Sequence, residues 1–234
     1  MMADFLLIVC EDEAAHISQS PRAMAEAIAS RARFEDDLRR AQALRDCGRF
    51  RPSQEGKRVH RGRVDDGPFD DDGTTLAAYY WVTAPDIDAA SRLAAQCPIL
   101  PTDRVDVRPL MKGGIAPDKD TKPGKIFAFA VLGRGDSEDA WQGVMDRIDA
   151  DTVGHFPADV FLGGNRLLPP RAGRRVVTRG EQRAVFDGPF LESKEIIGGV
   201  FFLRAMTIDD AVVWAAESRF VVHGVLEVRE LWRS

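Results

Sequence analysis

Asp66-Gly67-Pro68-Phe69 recurs as Asp187-Gly188-Pro189-Phe190, and the reading of the chain starts from that recurrence. Each tetrapeptide is a turn by composition: Asp accepts from backbone N–H groups ahead of it, Gly admits positive φ, Pro fixes the next φ, and Phe anchors the turn in apolar surroundings. Laid on one another, the two turns bring Tyr79-Tyr80-Trp81-Val82 onto Val200-Phe201-Phe202-Leu203, Ile87-Asp88 onto Ile208-Asp209, and Val107-Arg108 onto Val228-Arg229. With a small change of offset upstream, Arg49 falls on Arg166, Pro52 on Pro169 and Val59 on Val176. The sequence is thus one unit written twice, the first copy with a longer helix and the second with a longer hairpin.

Repeat 1 covers residues 1–112 and repeat 2 covers 125–234, joined at 113–124 by a Gly-, Pro- and charge-rich stretch that reads as a linker. In repeat 1 the pattern predicts a strand at Asp4–Cys10 and a helix opened by Ser20-Pro21, with Met24, Ala27, Ile28, Phe34, Leu38 and Ala41 on one face. Short strands follow at Leu44–Phe50 and Arg58–Arg61, then a doubly buried strand at Leu76–Thr83. A helix capped by Asp86 and a closing strand at Arg104–Met111 complete the copy. Repeat 2 predicts Lys125–Leu132, a helix near Glu138–Ile148, Val160–Leu167, a hairpin at Arg175–Phe186, Ile196–Ala205, a helix from Thr207 and Val225–Trp232. Each copy is β-α-β-β-α-β, so the fold class is α+β, with two ferredoxin-like sheets each bearing its helices on one face.

The bulk numbers exclude more than they propose. Of 234 residues 44% are hydrophobic and the net charge is −5, with both halves mildly acidic, so neither carries the basic excess that nucleic-acid binding needs. The apolar run Phe5–Cys10 is too short for a signal peptide or a membrane span and is followed by Glu11-Asp12-Glu13. Cys10, Cys47 and Cys97 all lie in the first half, which suits free thiols in the cytoplasm better than a disulfide framework.

Comparing the copies points to candidate site residues. After its turn repeat 2 continues Leu191-Glu192-Ser193-Lys194-Glu195, where repeat 1 has only Asp70-Asp71-Asp72-Gly73-Thr74. If one pocket exists, Glu192 and Lys194 place it by repeat 2, with Asp187 as hydrogen-bond acceptor or general base and Phe190 as an apolar wall. The plainer alternative is a turn-making Asp with solvated loop charges behind it. His155, before the strand at Val160, is the histidine best placed to act with a carboxylate near neutral pH, or else a surface histidine. His16, His60 and His223 have no partner that spacing reveals. Arg108 and Arg229 recur two residues after Asp106 and Glu227, which favours a structural ion pair or a bond to the turn, with a pocket role for Arg229 second. The acidic cluster Asp65, Asp66, Asp70, Asp71 and Asp72 fails calcium-loop spacing, and no zinc spacing, phosphate loop or nucleophile elbow is present.

The stretch from Asp187 through Lys194-Glu195 to Gly198-Gly199-Val200-Phe201, the closing Glu227-Val228-Arg229 and the opening Phe5–Val9 resemble the YCII-related (DGPF-domain) family. The resemblance covers nearly all of both copies. It implies a dimeric α+β barrel, which a tandem chain closes within itself as an internal pseudo-dimer, the whole being a monomer or a homodimer of tandem chains. It also implies chemistry without a cofactor. Related branches include a dehydrochlorinase of a chlorinated hydroxyquinone and members tied to sigma factors, and the wider superfamily holds cofactor-free oxygenases and lactone isomerases. A His near the start of the first helix, working with an Asp, is the family's suggested acid/base pair, but Pro21–Met24 and Glu138–Trp141 contain no His. The function expected is therefore a small-molecule pocket, with lyase- or isomerase-like acid/base chemistry or ligand binding alone. The alternative is a non-enzymatic interaction or regulatory module.

Overall fold

A computed structural model describes residues 2–69, 73–117, 122–133, 156–157, 159–188, 196–222 and 224–232. The expected helix near Glu138–Ile148 lies outside the described residues. Among the described residues, twelve strands fall into two sheets of six. They are β1 (Ala3–Glu11), β2 (Leu44–Arg49), β3 (Lys57–His60), β4 (Arg63–Asp66), β5 (Thr75–Ala84) and β6 (Arg104–Pro109) from the first half of the chain. From the second half come β7 (Lys125–Gly133), β8 (Phe161–Arg166), β9 (Arg174–Arg179), β10 (Gln182–Asp187), β11 (Ile196–Ala205) and β12 (Val225–Glu230). The described α-helices are α1 (Glu13–Ile17), α2 (Pro21–Arg40), α3 (Ile87–Ala95) and α4 (Ile208–Glu217).

One sheet runs β10-β9-β6-β1-β5-β2 and the other β4-β3-β12-β7-β11-β8, so corresponding strands of the two copies occupy corresponding places. Four consecutive strands of each, β6-β1-β5-β2 and β12-β7-β11-β8, follow the ferredoxin-like order, the long first strand lying between the last and the third. The two strands at the other end of each sheet are a hairpin, and these hairpins are exchanged. β9 of the second half pairs with β6 of the first, and β3 of the first half pairs with β12 of the second. The compact units are therefore not the contiguous stretches 1–112 and 125–234. One comprises residues 1–48, 72–110 and 170–190; the other comprises 49–71, 111–169 and 191–234. The expected linker begins as structure too: Met111 just ahead of it bonds the Arg166 carbonyl through its N–H, and Ile115 within it bridges to Gly164.

In the first unit one sheet face meets both helices. Phe5, Leu7, Val9, Ala78, Tyr80, Val82, Val105 and Val107 pack with Phe34 and Leu38 of α2 and Ala90 and Ala94 of α3. Val176, supplied by β9, completes that cluster. In the second unit Phe127, Phe129, Phe201, Leu203, Leu226 and Val228 pack with Ala211 and Ala215 of α4, and Val59 from β3 takes the place that Val176 takes in the first. Burying an aliphatic or aromatic side chain of this size contributes about 1.5–3 kcal/mol, so each exchanged valine ties its hairpin to a core. Helix starts follow their caps: Ser20 accepts from Ala23 N–H ahead of Pro21, Asp86 from Ala89 N–H, and Thr207 forms a capping box with Asp210.

Two expectations are corrected. The apolar face of α2 is buried only at Phe34 and Leu38, in its second half; Met24 and Ile28 are exposed, because none of the described residues covers them. Repeat 1 also has the full hairpin, with Arg63–Asp66 as its second arm. These polar residues hold strand geometry through pairing with β3 and not through any apolar pattern.

Candidate functional site

The paired turns explain themselves first. Gly67 N–H bonds the Gly56 carbonyl at 3.2 Å, and Gly188 N–H bonds the Gly173 carbonyl at 3.0 Å. A Cβ on Gly67 would stand 1.9 Å from the Ser53 carbonyl oxygen, and one on Gly188 would stand 2.1 Å from that of Pro170. Glycine is required in both copies by this close approach to a 3₁₀ turn. The Asp before it is an exposed partner in an ion pair: Lys57 Nζ reaches Asp66 Oδ1 at 2.5 Å, and Arg174 Nε reaches Asp187 Oδ1 at 2.8 Å. Asp187 keeps 81% of its side-chain surface in solvent, and Arg174 also bonds Asp88, holding that carboxyl below its usual range. Phe69 is buried, with the Arg58 guanidinium 4.5 Å from its ring centroid.

Arg229 is 1% exposed. It donates to Glu227 Oε1 at 2.9 Å and to the Arg51 carbonyl, while Arg58 donates twice to Glu227 Oε2 at 3.0 and 3.1 Å. In the first unit Arg175 grips Asp106 through both oxygens at 2.6 and 2.9 Å, the same cross-strand pair. Arg108, the counterpart of Arg229, is 4% exposed, and burial lowers its pKa to about 10. Gly173 and Gly56 carry no Cβ where the stems of Arg108 and Arg229 pass at 2.7 and 2.4 Å. Arg58 and Arg175 pin hairpin to sheet, and Arg229 ties its strand to the Arg51 carbonyl. Of the remaining expected site residues, His155, Phe190, Glu192 and Lys194 lie outside the described residues, so Asp187 and Arg229 stand described without them, in different units.

The structure brings together a group that sequence spacing did not. At the end of β1, Asp12 caps α1 by accepting from Ala15 N–H, and one turn on, His16 Nε2 lies 2.9 Å from Asp103 Oδ2 and 3.7 Å from Glu11 Oε2. Ligating atoms of Glu11, His16 and Asp103 all lie within 4.8 Å of one another. Glu11 is 4% and Asp103 2% exposed, whereas the His16 side chain keeps 17% of its surface. Asp103 is held from both sides: Asp12 N–H donates to Oδ1 at 3.1 Å and Leu100 N–H to Oδ2 at 2.7 Å. Gln19 Nε2 stands 3.4 Å from His16 Nδ1. With that amide donating to Nδ1, the neutral ring carries its proton on Nε2 and gives it to Asp103. Cys97, buried in this neighbourhood, has its thiol pushed up to about 12 by burial first and the Glu11 charge next, so it is a thiol and not a thiolate near neutral pH.

This cluster belongs to one copy. By the register of the paired strands, Gly133 stands where Glu11 does and Gly224 where Asp103 does. The sheet face away from α2 and α3 differs between copies as well. Tyr79 Oη donates to Asp46 at 2.5 Å, its phenol pushed well above the usual range by burial and then by the Asp46 charge. Trp81, 2% exposed, has a buried indole N–H with no hydrogen-bond partner among the described residues. Val200 and Phe202 take these places in the second unit. That unit carries an open groove of about 500 Å³, where the Arg51 guanidinium lies 4.2 Å from the ring centroid of the half-exposed Trp232, beside Met206 and the Lys125–Glu230 pair.

The family model of the YCII-related domain matches residues 161–234. In this segment the chain is similar to the YCII-related domain. The matched segment spans β8 to β12 and holds Asp187 and Arg229, whereas Glu11, His16 and Asp103 lie in the first copy. A search of curated proteins gave no match. Among solved structures, one described as a candidate chlorite dismutase is 10% identical over 99% of this chain and 95% of its own, with a TM-score of 0.40. No described helix is long and apolar enough to cross a membrane.

Proposed function

We propose that the chain is a small-molecule-binding protein in which His16 acts as a general acid/base, positioned by Asp103. The observation that carries this reading is the 2.9 Å contact between His16 Nε2 and a buried Asp103 carboxylate that two backbone N–H groups hold in place. A carboxylate fixed in this way sets the tautomer of the imidazole and stabilises its cation, and Nδ1 takes or gives a proton once the Gln19 amide gives way. The Trp81 N–H, without a partner among the described residues, supports ligand binding in the same unit, since a buried donor without an acceptor carries a desolvation cost that a ligand oxygen would relieve.

The test is deuterium incorporation from solvent into a panel of small hydroxy acids and hydroxylated aromatic compounds, followed by NMR. Exchange above the buffer rate is expected for at least one compound, falling about 10²–10⁴-fold in His16→Gln. Asp103→Asn is expected to lower the rate and shift its pH profile. A wild-type rate equal to buffer across the panel, or a His16→Gln rate equal to wild type, would overturn the reading.

A further inference from the structure

We propose that Glu11, His16 and Asp103 bind a divalent transition-metal cation of the zinc and cobalt class, one per chain. The proposal rests on the reading of these three side chains as one site, and it is tested separately from their proton chemistry. One imidazole and two carboxylates are a donor set that such cations accept. In a tetrahedral site with metal–ligand bonds of about 2.0–2.2 Å, neighbouring ligand atoms stand roughly 3.3 Å apart. The His16 Nε2 separations of 2.9 Å to Asp103 and 3.7 Å to Glu11 lie on either side of that value. All three ligand atoms lie within 4.8 Å of one another, so drawing the two carboxylates in on the imidazole closes the site around one cation.

The surroundings are those of a built site. Each oxygen of Asp103 is oriented by a backbone N–H, and Gln19 stands against the far nitrogen of His16. Outer contacts of this kind hold ligands in place and tune them. Loading needs the Nε2 lone pair, so the ring proton moves from Nε2 to Nδ1, and the Gln19 amide turns over to accept it through its oxygen. The neutral ring gains and loses no proton overall. Three protein ligands leave a fourth position for water or a substrate oxygen. A bound cation takes the same Nε2 contact that Asp103 makes with the ring proton, so metal and proton compete for one place, and the loaded and empty forms differ in chemistry. Gly133 and Gly224 at the equivalent positions deny the second copy a matching site.

The experiment is calorimetric titration of the metal-free full chain with Zn²⁺, alongside visible absorption with Co²⁺, for wild type, Glu11→Gln and His16→Gln, with circular dichroism on each. One equivalent is expected to bind, with Co²⁺ bands typical of low-coordinate sites, and each variant is expected to weaken binding at least about 100-fold. Absence of saturable binding to wild type overturns the proposal. So does unchanged affinity in both variants, which would put the cation elsewhere, for instance at His60 and Asp65, 3.1 Å apart. If Glu11→Gln does not fold, His16→Gln, whose ring already reaches solvent, decides alone. Metal binding without deuterium exchange leaves this proposal standing and removes the acid/base reading, and exchange by a chain that takes up no metal does the reverse.

Discussion

At the scale of single residues, Arg229 keeps its charge inside the protein by spending its hydrogens on the Glu227 carboxylate and the Arg51 carbonyl. Removing it leaves a buried carboxylate with Arg58 alone. Arg229→Met is therefore expected to cost about 3–5 kcal/mol in urea denaturation, with deuterium exchange at His16 unchanged. Asp187→Ala, at an exposed pair, is expected to leave the urea midpoint close to wild type. Cys97 gives a pH prediction. Its thiol ionises at about 12 in the folded chain and near 9.0 when exposed, so between those values the unfolded chain holds thiolate and the folded one thiol. The stability this group contributes is complete below 9.0 and falls as pH rises towards 12. Iodoacetamide at pH 8 is accordingly expected to label the half-buried Cys47 well ahead of Cys97, by peptide mass mapping. The ion pair of Arg229 with Glu227 was legible in the sequence, because an acidic residue stands two places before it. His16 was not, since its partners arrive from Glu11 by a turn and from Asp103 by a chain reversal that no local spacing records.

At the scale of elements, the turn glycines matter more than the aspartates beside them. Gly67→Ala and Gly188→Ala each drive a methyl group into a backbone carbonyl, and each is expected to lower stability by about 1–3 kcal/mol or more, measured by urea unfolding against Asp66→Ala as the mild control. Strands covered on both faces were easy to read: Thr75–Ala84 is buried at every residue, and Ile196–Ala205 has the predicted ends. Caps at Ser20, Asp86 and Thr207 fixed three helix starts through side-chain chemistry that is local. The first half of α2 misled because periodicity reports the capacity to bury a face and not the presence of a neighbour. Arg63–Asp66 misled in the opposite sense, as its strand identity comes wholly from its partner.

At the scale of the whole chain, connectivity and compactness disagree. Each sheet is complete only when a hairpin from the other half of the sequence joins it, Arg174–Asp187 in one and Lys57–Asp66 in the other. Residues 1–112 and 125–234 made as separate polypeptides are expected to be unstable alone and to co-purify when made together, with the urea midpoint of the mixture depending on protein concentration. Independent, full-length-like unfolding of either half would contradict the exchange. The same feature bears on how such a chain could arise. An ancestor carrying a single copy would have needed two identical products to finish either sheet, and any change to one partner would have been imposed on both. Joining the copies in one gene lifts that constraint: the shared clasp of arginine, glycine and hairpin is kept twice, while Glu11 and Asp103 face only glycines in the duplicate, leaving one copy to specialise and the other to complete its sheet.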